Sequence, residues 1–102
     1  MQISAGRPIT INATAIMRKL GYKPWRDPKT GKESFIRRLG QAFYPRFHVY
    51  VLYEEDRTPV IDLHMDWRRP MHKKGQKSYE DAESDTVQEE ARRIIQILDS
   101  IQ

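Results

Sequence analysis

The chain is 102 residues long with a formal net charge of +4, 38% hydrophobic, 31% charged and with ten aromatic residues. That composition suits one polar-surfaced domain with a real core and excludes an intrinsically disordered chain. The absence of cysteine excludes a disulfide framework and a thiolate metal site, and no apolar run approaches the roughly 18 residues of a membrane span.

Charge is unevenly distributed. Residues 1–50 carry ten Lys/Arg against two acids, whereas residues 78–102 carry seven acids against Arg92 and Arg93. A basic front half is what a polyanion-binding surface needs; equally, two halves of opposite sign attract each other within a fold. The N-terminus lacks a signal peptide's apolar segment, so the expected location is the cytoplasm.

In chain order, residues 1–8 read as an extended arm, with Gly6 and Pro8 unsuited to a helix interior. Asn12 can cap a helix whose apolar positions are Ala13, Ile16, Met17 and Leu20, and Gly21 stands where a left-handed C-cap belongs. A short extra strand around Tyr22–Arg26 is an option. Asp27-Pro28-Lys29-Thr30-Gly31-Lys32 is a strong turn signal, and SFIRRLG follows as the first main strand. FYPRFHVYVLYEE is the clearest strand, with Pro45 tolerable near its start. EEDRTP turns the chain into VIDLHMDW, which puts Ile61, Leu63, Met65 and Trp67 on one side and Asp62, His64 and Asp66 on the other.

Residues 68–83, basic first and then acidic, read as a flexible charged loop. A final helix begins at a capping box, Asp85 with Gln88 or Thr86 with Glu89, and its stripe is Val87, Ala91, Ile94, Leu98 and Ile101. The expected architecture for residues 1–102 is a single α+β domain: a three-stranded antiparallel sheet with an N-terminal and a C-terminal helix on one face, α-β-β-β-α.

If the second and third strands form a hairpin about residues 56–58, opposed residues have numbers summing to about 114. Phe47 then meets Trp67, Val49 meets Met65, His48 meets Asp66 and Tyr50 meets His64. A one-residue slip would bury the polar set, so parity is firmer than register. The shared polar face admits three chemistries: a solvated cross-strand network, a general acid/base site in which a carboxylate poises an imidazole, or a metal site from His48, His64 and Asp66. The candidate catalytic residues are His48 as base or acid, with Asp66 or His64 orienting or assisting it; no metal or other cofactor is assigned.

Basic residues interleave with aromatics at Trp25, Arg26, Arg37, Arg38, Tyr44 and Arg46, and again at Trp67, Arg68, Arg69, His72, Lys73 and Lys74. Cations supply phosphate contacts and rings supply stacking surfaces for unpaired bases. The candidate nucleic-acid-binding set is Arg37, Arg38, Arg46, Arg68 and Arg69.

SFIRRLG, YPRFHVY, LHMDWRRP and EEARRI, spread over residues 33–95, together resemble a group of short prokaryotic proteins of uncharacterised activity. The element order also resembles the double-stranded-RNA-binding fold and the HicA-type toxins, small messenger-RNA ribonucleases whose catalytic histidine stands near the start of a middle strand. The resemblance implies His48 in that role, with Arg46-Phe47 replacing the small Gly-Ser that precedes the family's histidine. The functional expectation is a nucleic-acid-associated protein, RNA preferred over DNA, with ribonuclease activity open. The alternative is a non-catalytic protein-interaction module, dimeric through an exposed sheet edge or the polar sheet face, and neither calls for a membrane.

Overall fold

The computed structural model describes residues 1–67 and 84–101. The elements are β1 (Gln2–Ser4), α1 (Ala13–Leu20), β2 (Lys23–Arg26), β3 (Glu33–Arg38), β4 (Arg46–Tyr53), β5 (Pro59–Asp66) and α2 (Asp85–Ser100). All neighbouring strands are antiparallel, in the order β1-β5-β4-β3-β2. The expected three-stranded α-β-β-β-α layout is therefore overturned: the sheet has five strands and the order is β-α-β-β-β-β-α.

Both added strands lie at sheet edges, where local sequence is least informative. β1 comes from the segment read as an arm and is held by its partner, with Ile3 opposite Ile61. Three residues with a single inward side chain give no period-2 signal. β2 contains Pro24, which an edge strand tolerates because one row of its backbone groups has no ladder partner to supply.

Local chemistry explains the helix ends. The Asn12 side chain accepts from Ala15 N at 2.8 Å, and Gly21, at φ 92°, donates its N–H to the Arg18 carbonyl. α2 is capped one residue earlier than expected, by Ser84 in place of Asp85 or Thr86; its hydroxyl accepts from Val87 N. At the far end, the Arg7 guanidinium donates to the carbonyls of Leu98 and Ile101, placing a cation where the helix dipole is negative.

The helices cover one sheet face. Ile16, Met17 and Leu20 of α1 and Val87, Ala91, Ile94 and Leu98 of α2 share a buried core with Phe35, Phe47, Val49, Ile61, Leu63 and Met65. Val51 is half-buried against it, and Ile36 is buried on the opposite side of the sheet.

A second buried feature ties the halves together. The Glu90 carboxylate, 4% exposed, accepts from Tyr22 Oη at 2.7 Å, from Arg93 through Nε and Nη2 at 2.8 Å each, and from Arg37 Nη1 at 3.3 Å. Burial, together with this carboxylate, pushes the Tyr22 phenol far above its ordinary range. Among the described residues, no helix is long and apolar enough to cross a membrane.

The β4–β5 register differs from expectation by two residues. Arg46 faces Asp66, Phe47 faces Met65, His48 faces His64 and Tyr50 faces Asp62. Trp67 lies beyond the strand, 51% exposed, instead of opposite Phe47. The turn explains the shift. Tyr53 and Pro59 form the last pair, Arg57 N donates to the Glu54 carbonyl, and Arg57 takes φ 74°. Glu54 N also donates to the Thr58 carbonyl just beyond that pair, which leaves a three-residue loop, 55–57, centred on Asp56 with its last residue left-handed, so opposed numbers sum to 112. Parity is unchanged, because a shift of two keeps every side chain on its face.

Candidate functional site

The face away from the helices is assembled by parity. The core claims Phe47 and Val49 of β4, so Arg46, His48 and Tyr50 point the other way. The same rule puts Asp62, His64 and Asp66 of β5 beside them. β3 contributes Ser34, Ile36 and Arg38, and β2 contributes Lys23 and Trp25, since paired residues share a face.

A chain of polar contacts crosses this face. Arg46 Nε donates to Asp66 Oδ2 at 3.0 Å, and His48 Nδ1 lies 3.3 Å from the same oxygen. His48 Nε2 lies 2.8 Å from Ser34 Oγ, and Ser34 Oγ is 3.0 Å from the Trp25 carbonyl. The carboxylate only accepts, so Nδ1 carries a proton. If Ser34 donates to the Trp25 carbonyl, Nε2 must donate to Ser34 and the ring is an imidazolium. A neutral ring requires Ser34 to donate to Nε2 instead.

Serine, histidine and aspartate in that order share the connectivity of a hydrolytic triad, but Ser34 is 1% exposed and presents no nucleophile to solvent. The His48 residue is 9% exposed, with both ring nitrogens engaged. Burial pushes the Asp66 carboxyl up, but hydrogen bonds and charge from His48 and Arg46 outweigh it and hold the group below the usual carboxylate range.

Arg46 is 3% exposed and lies among the rings of Phe43, Trp25 and Tyr44, with its guanidinium carbon 4.3, 4.6 and 4.7 Å from their centroids. Its Nη1 is buried with no hydrogen-bond partner among the described residues. Three π faces and one carboxylate thus offset the desolvation of a full positive charge.

The more accessible groups surround this line. The His64 side chain is 44% exposed, with Nε2 3.8 Å from Asp62 Oδ2 and its ring centroid 6.2 Å from that of His48. Tyr50 is half-buried, 4.9 Å from the His48 ring and 6.0 Å from the His64 ring, with Lys32 Nζ 4.7 Å from its centroid. Burial, and then the carboxylates of Asp27, Asp66 and Asp62, raise its phenol above the ordinary value.

His48, His64 and Asp66 therefore share one face, but the direct neighbour of His64 is Asp62, not Asp66. Arg38 and Arg46 lie on this face too, the first exposed and the second consumed by the interior. Arg37 points to the helix side, toward Glu90. Arg68 and Arg69, with His72, Lys73, Lys74 and the rest of 68–83, lie outside the described residues. No three His, Cys, Asp or Glu side chains among the described residues form a group that could hold a metal ion.

Ser34, Lys23, Lys32 and Glu90 were not singled out from sequence. The first three need the β2–β3–β4 register, which no turn signal between Arg38 and Tyr44 supplies. Glu90 reads as one acid among many on a solvated helix. Comparisons with protein-family models, with curated proteins and with solved structures found no match to this chain.

Proposed function

We propose that this is a nucleic-acid-associated protein that holds a single strand, RNA in preference to DNA, against the sheet face opposite the helices. The observation that carries the reading is the arrangement of partly exposed rings and cations on that face. Trp25, Tyr50 and His64 supply flat surfaces, and Lys32 and Arg38 supply charge. Bases stack on such rings with little sequence preference while cations meet the backbone. Asp62 and His64 are hydrogen-bonding groups that a 2′-hydroxyl can satisfy, which favours RNA.

Ribonuclease action requires one group to take the 2′-hydroxyl proton and another to protonate the leaving 5′ oxygen. His64 is the more exposed imidazole, whereas the His48–Asp66 pair is built into the sheet beneath it. On this reading His64 would meet the scissile phosphate and His48, held by Ser34 and Asp66, would fix its neighbours.

The test is oligonucleotide binding across a salt series, with cleavage of labelled RNA followed in parallel. RNA is expected to bind more tightly than DNA of the same sequence, and Lys32→Gln is expected to lower the salt slope by roughly 0.7, the release from one single-strand phosphate. No binding at low salt would overturn the reading. The protein-interaction alternative is favoured by one observation, an open groove of about 450 Å³ lined by Ile11, Lys19, Ile97, Ser100 and Ile101. Contacts there would be nearly insensitive to salt.

A further inference from the structure

At the edge of the sheet where α1 gives way to β2, Gly21, Lys23, Ile36, Arg37, Arg38 and Gly40 line a shallow notch of about 330 Å³, with Lys23, Ile36 and Arg38 from the ring-bearing face and Arg37 from the helix side. Three of the six are cations and none is an acid. We infer that this notch binds a phosphate monoester and, resting on the reading above, that it receives the phosphorylated end of a bound RNA strand.

The notch is set up in advance of any ligand. Gly21 is left-handed at φ 92°, a conformation that favours glycine, and Arg37 Nε lies 3.6 Å from where a Cβ would stand, so the Arg37 side chain passes in ordinary contact with this turn. Arg37 is anchored by its Nη1 on Glu90, which is itself gripped by Arg93 and Tyr22. A guanidinium has five N–H donors, so this anchor leaves others for an anion. The carboxylate does not cancel the site, because Glu90 already answers Arg93, and Lys23 and Arg38 are both exposed.

The geometry distinguishes an end from the middle of a strand. A surface that tracks a backbone spreads its cations along the path, one per singly charged diester. Three cations converging on one small notch suit a single group carrying nearly two negative charges. Position points to a nucleic-acid end over a free phosphate metabolite. Lys23 and Trp25 alternate on β2, and Arg38, Ile36 and Ser34 alternate on β3, so the notch continues directly into the ring-bearing face.

Two arms test it. Inorganic phosphate alone is titrated while the amide signals of Gly21, Lys23, Arg38 and Gly40 are followed by NMR. Saturable shifts in the wild type that vanish in Lys23→Gln/Arg38→Gln support the site, and no saturable shift overturns it. In the second arm, one short RNA is compared with a 5′-phosphate, a 3′-phosphate or only hydroxyl ends. A terminal phosphate is expected to tighten binding about tenfold, the factor one hydrogen bond to a charged group is worth, and the double variant is expected to erase that ratio. Equal binding of all three RNAs overturns the end-recognition assignment while leaving strand binding intact. Phosphate shifts without binding of any RNA retain the site, remove the functional reading, and assign the notch to a small phosphate monoester.

Discussion

Asp66 is where the polar face depends on a single atom, because its Oδ2 meets both Arg46 and His48. Asp66→Asn removes the charge that answers a guanidinium buried among three rings. Uncompensated buried charges are expensive, so the variant is expected to lose about 3 kcal/mol in urea unfolding. Asp62→Asn, whose one ion pair among the described residues is the 3.8 Å contact to half-exposed His64, is expected to lose less than about 1 kcal/mol. The pH dependence follows from the direction of the Asp66 shift. A carboxyl depressed in the folded state contributes stability that is fully present above its unfolded value. That contribution is lost as pH falls through the folded value, so it disappears on the acid side, below about pH 4. Acid unfolding of Asp66→Asn should show a shallower loss over that window than the wild type. Ser34→Ala leaves the buried His48 Nε2 without its partner and is expected to cost about 1–3 kcal/mol, read from the same unfolding curves.

At the scale of elements, the β4–β5 hairpin shows why parity was legible and register was not. Alternation of Phe47, Val49 and Val51 against His48 and Tyr50 assigns faces by itself. Register depends on one backbone conformation, Arg57 at φ 74°, in a turn whose sequence carries no glycine to announce it. That two-residue shift moved Asp66 from opposite His48 to opposite Arg46, yet the long side chains restored the His48–Asp66 contact diagonally. β1 is illegible for another reason, since three residues at a sheet edge owe their conformation to a partner strand, and the four residues of β2 are legible only as the optional strand around Tyr22–Arg26. Arg57→Gly is expected to stabilise the protein by about 0.5 kcal/mol, relief of left-handed strain exceeding the entropy glycine adds to the unfolded chain. A fall in stability would mean that the Arg57–Tyr53 ring contact, at 5.1 Å, outweighs the strain. In the core, Leu63→Ala is expected to cost about 2–5 kcal/mol because Leu63 is fully buried, and half-buried Val51→Ala clearly less, both read from unfolding midpoints.

For the molecule as a whole, the charge asymmetry serves two purposes at once. Part of the basic front half is engaged internally: Arg37 through one donor on Glu90, Arg46 on Asp66, Arg7 on the end of α2. One acid of the back half, Glu90, is thus drawn into the fold by a front-half arginine, as mutual attraction of the halves requires. Of the seven other cations in residues 1–50, Lys23, Lys32 and Arg38 stay exposed around the ring-bearing face and its terminal notch, whereas Arg18 and Lys19 lie on α1. A count of arginines therefore overstates the electrostatic reach of this surface. With three such cations each releasing about 0.7 of a counterion from a single strand, the plot of log K against log salt is expected to have a slope near about −2 from these residues. The slope should fall by about one third in Lys23→Gln or Arg38→Gln, and should not change in Arg93→Gln, whose guanidinium is committed to Glu90 and the Leu20 carbonyl. No oligonucleotide binding at low salt would remove this face as a nucleic-acid surface and would leave the groove of Ile11, Ile97 and Ile101, with a protein partner whose affinity is nearly insensitive to salt.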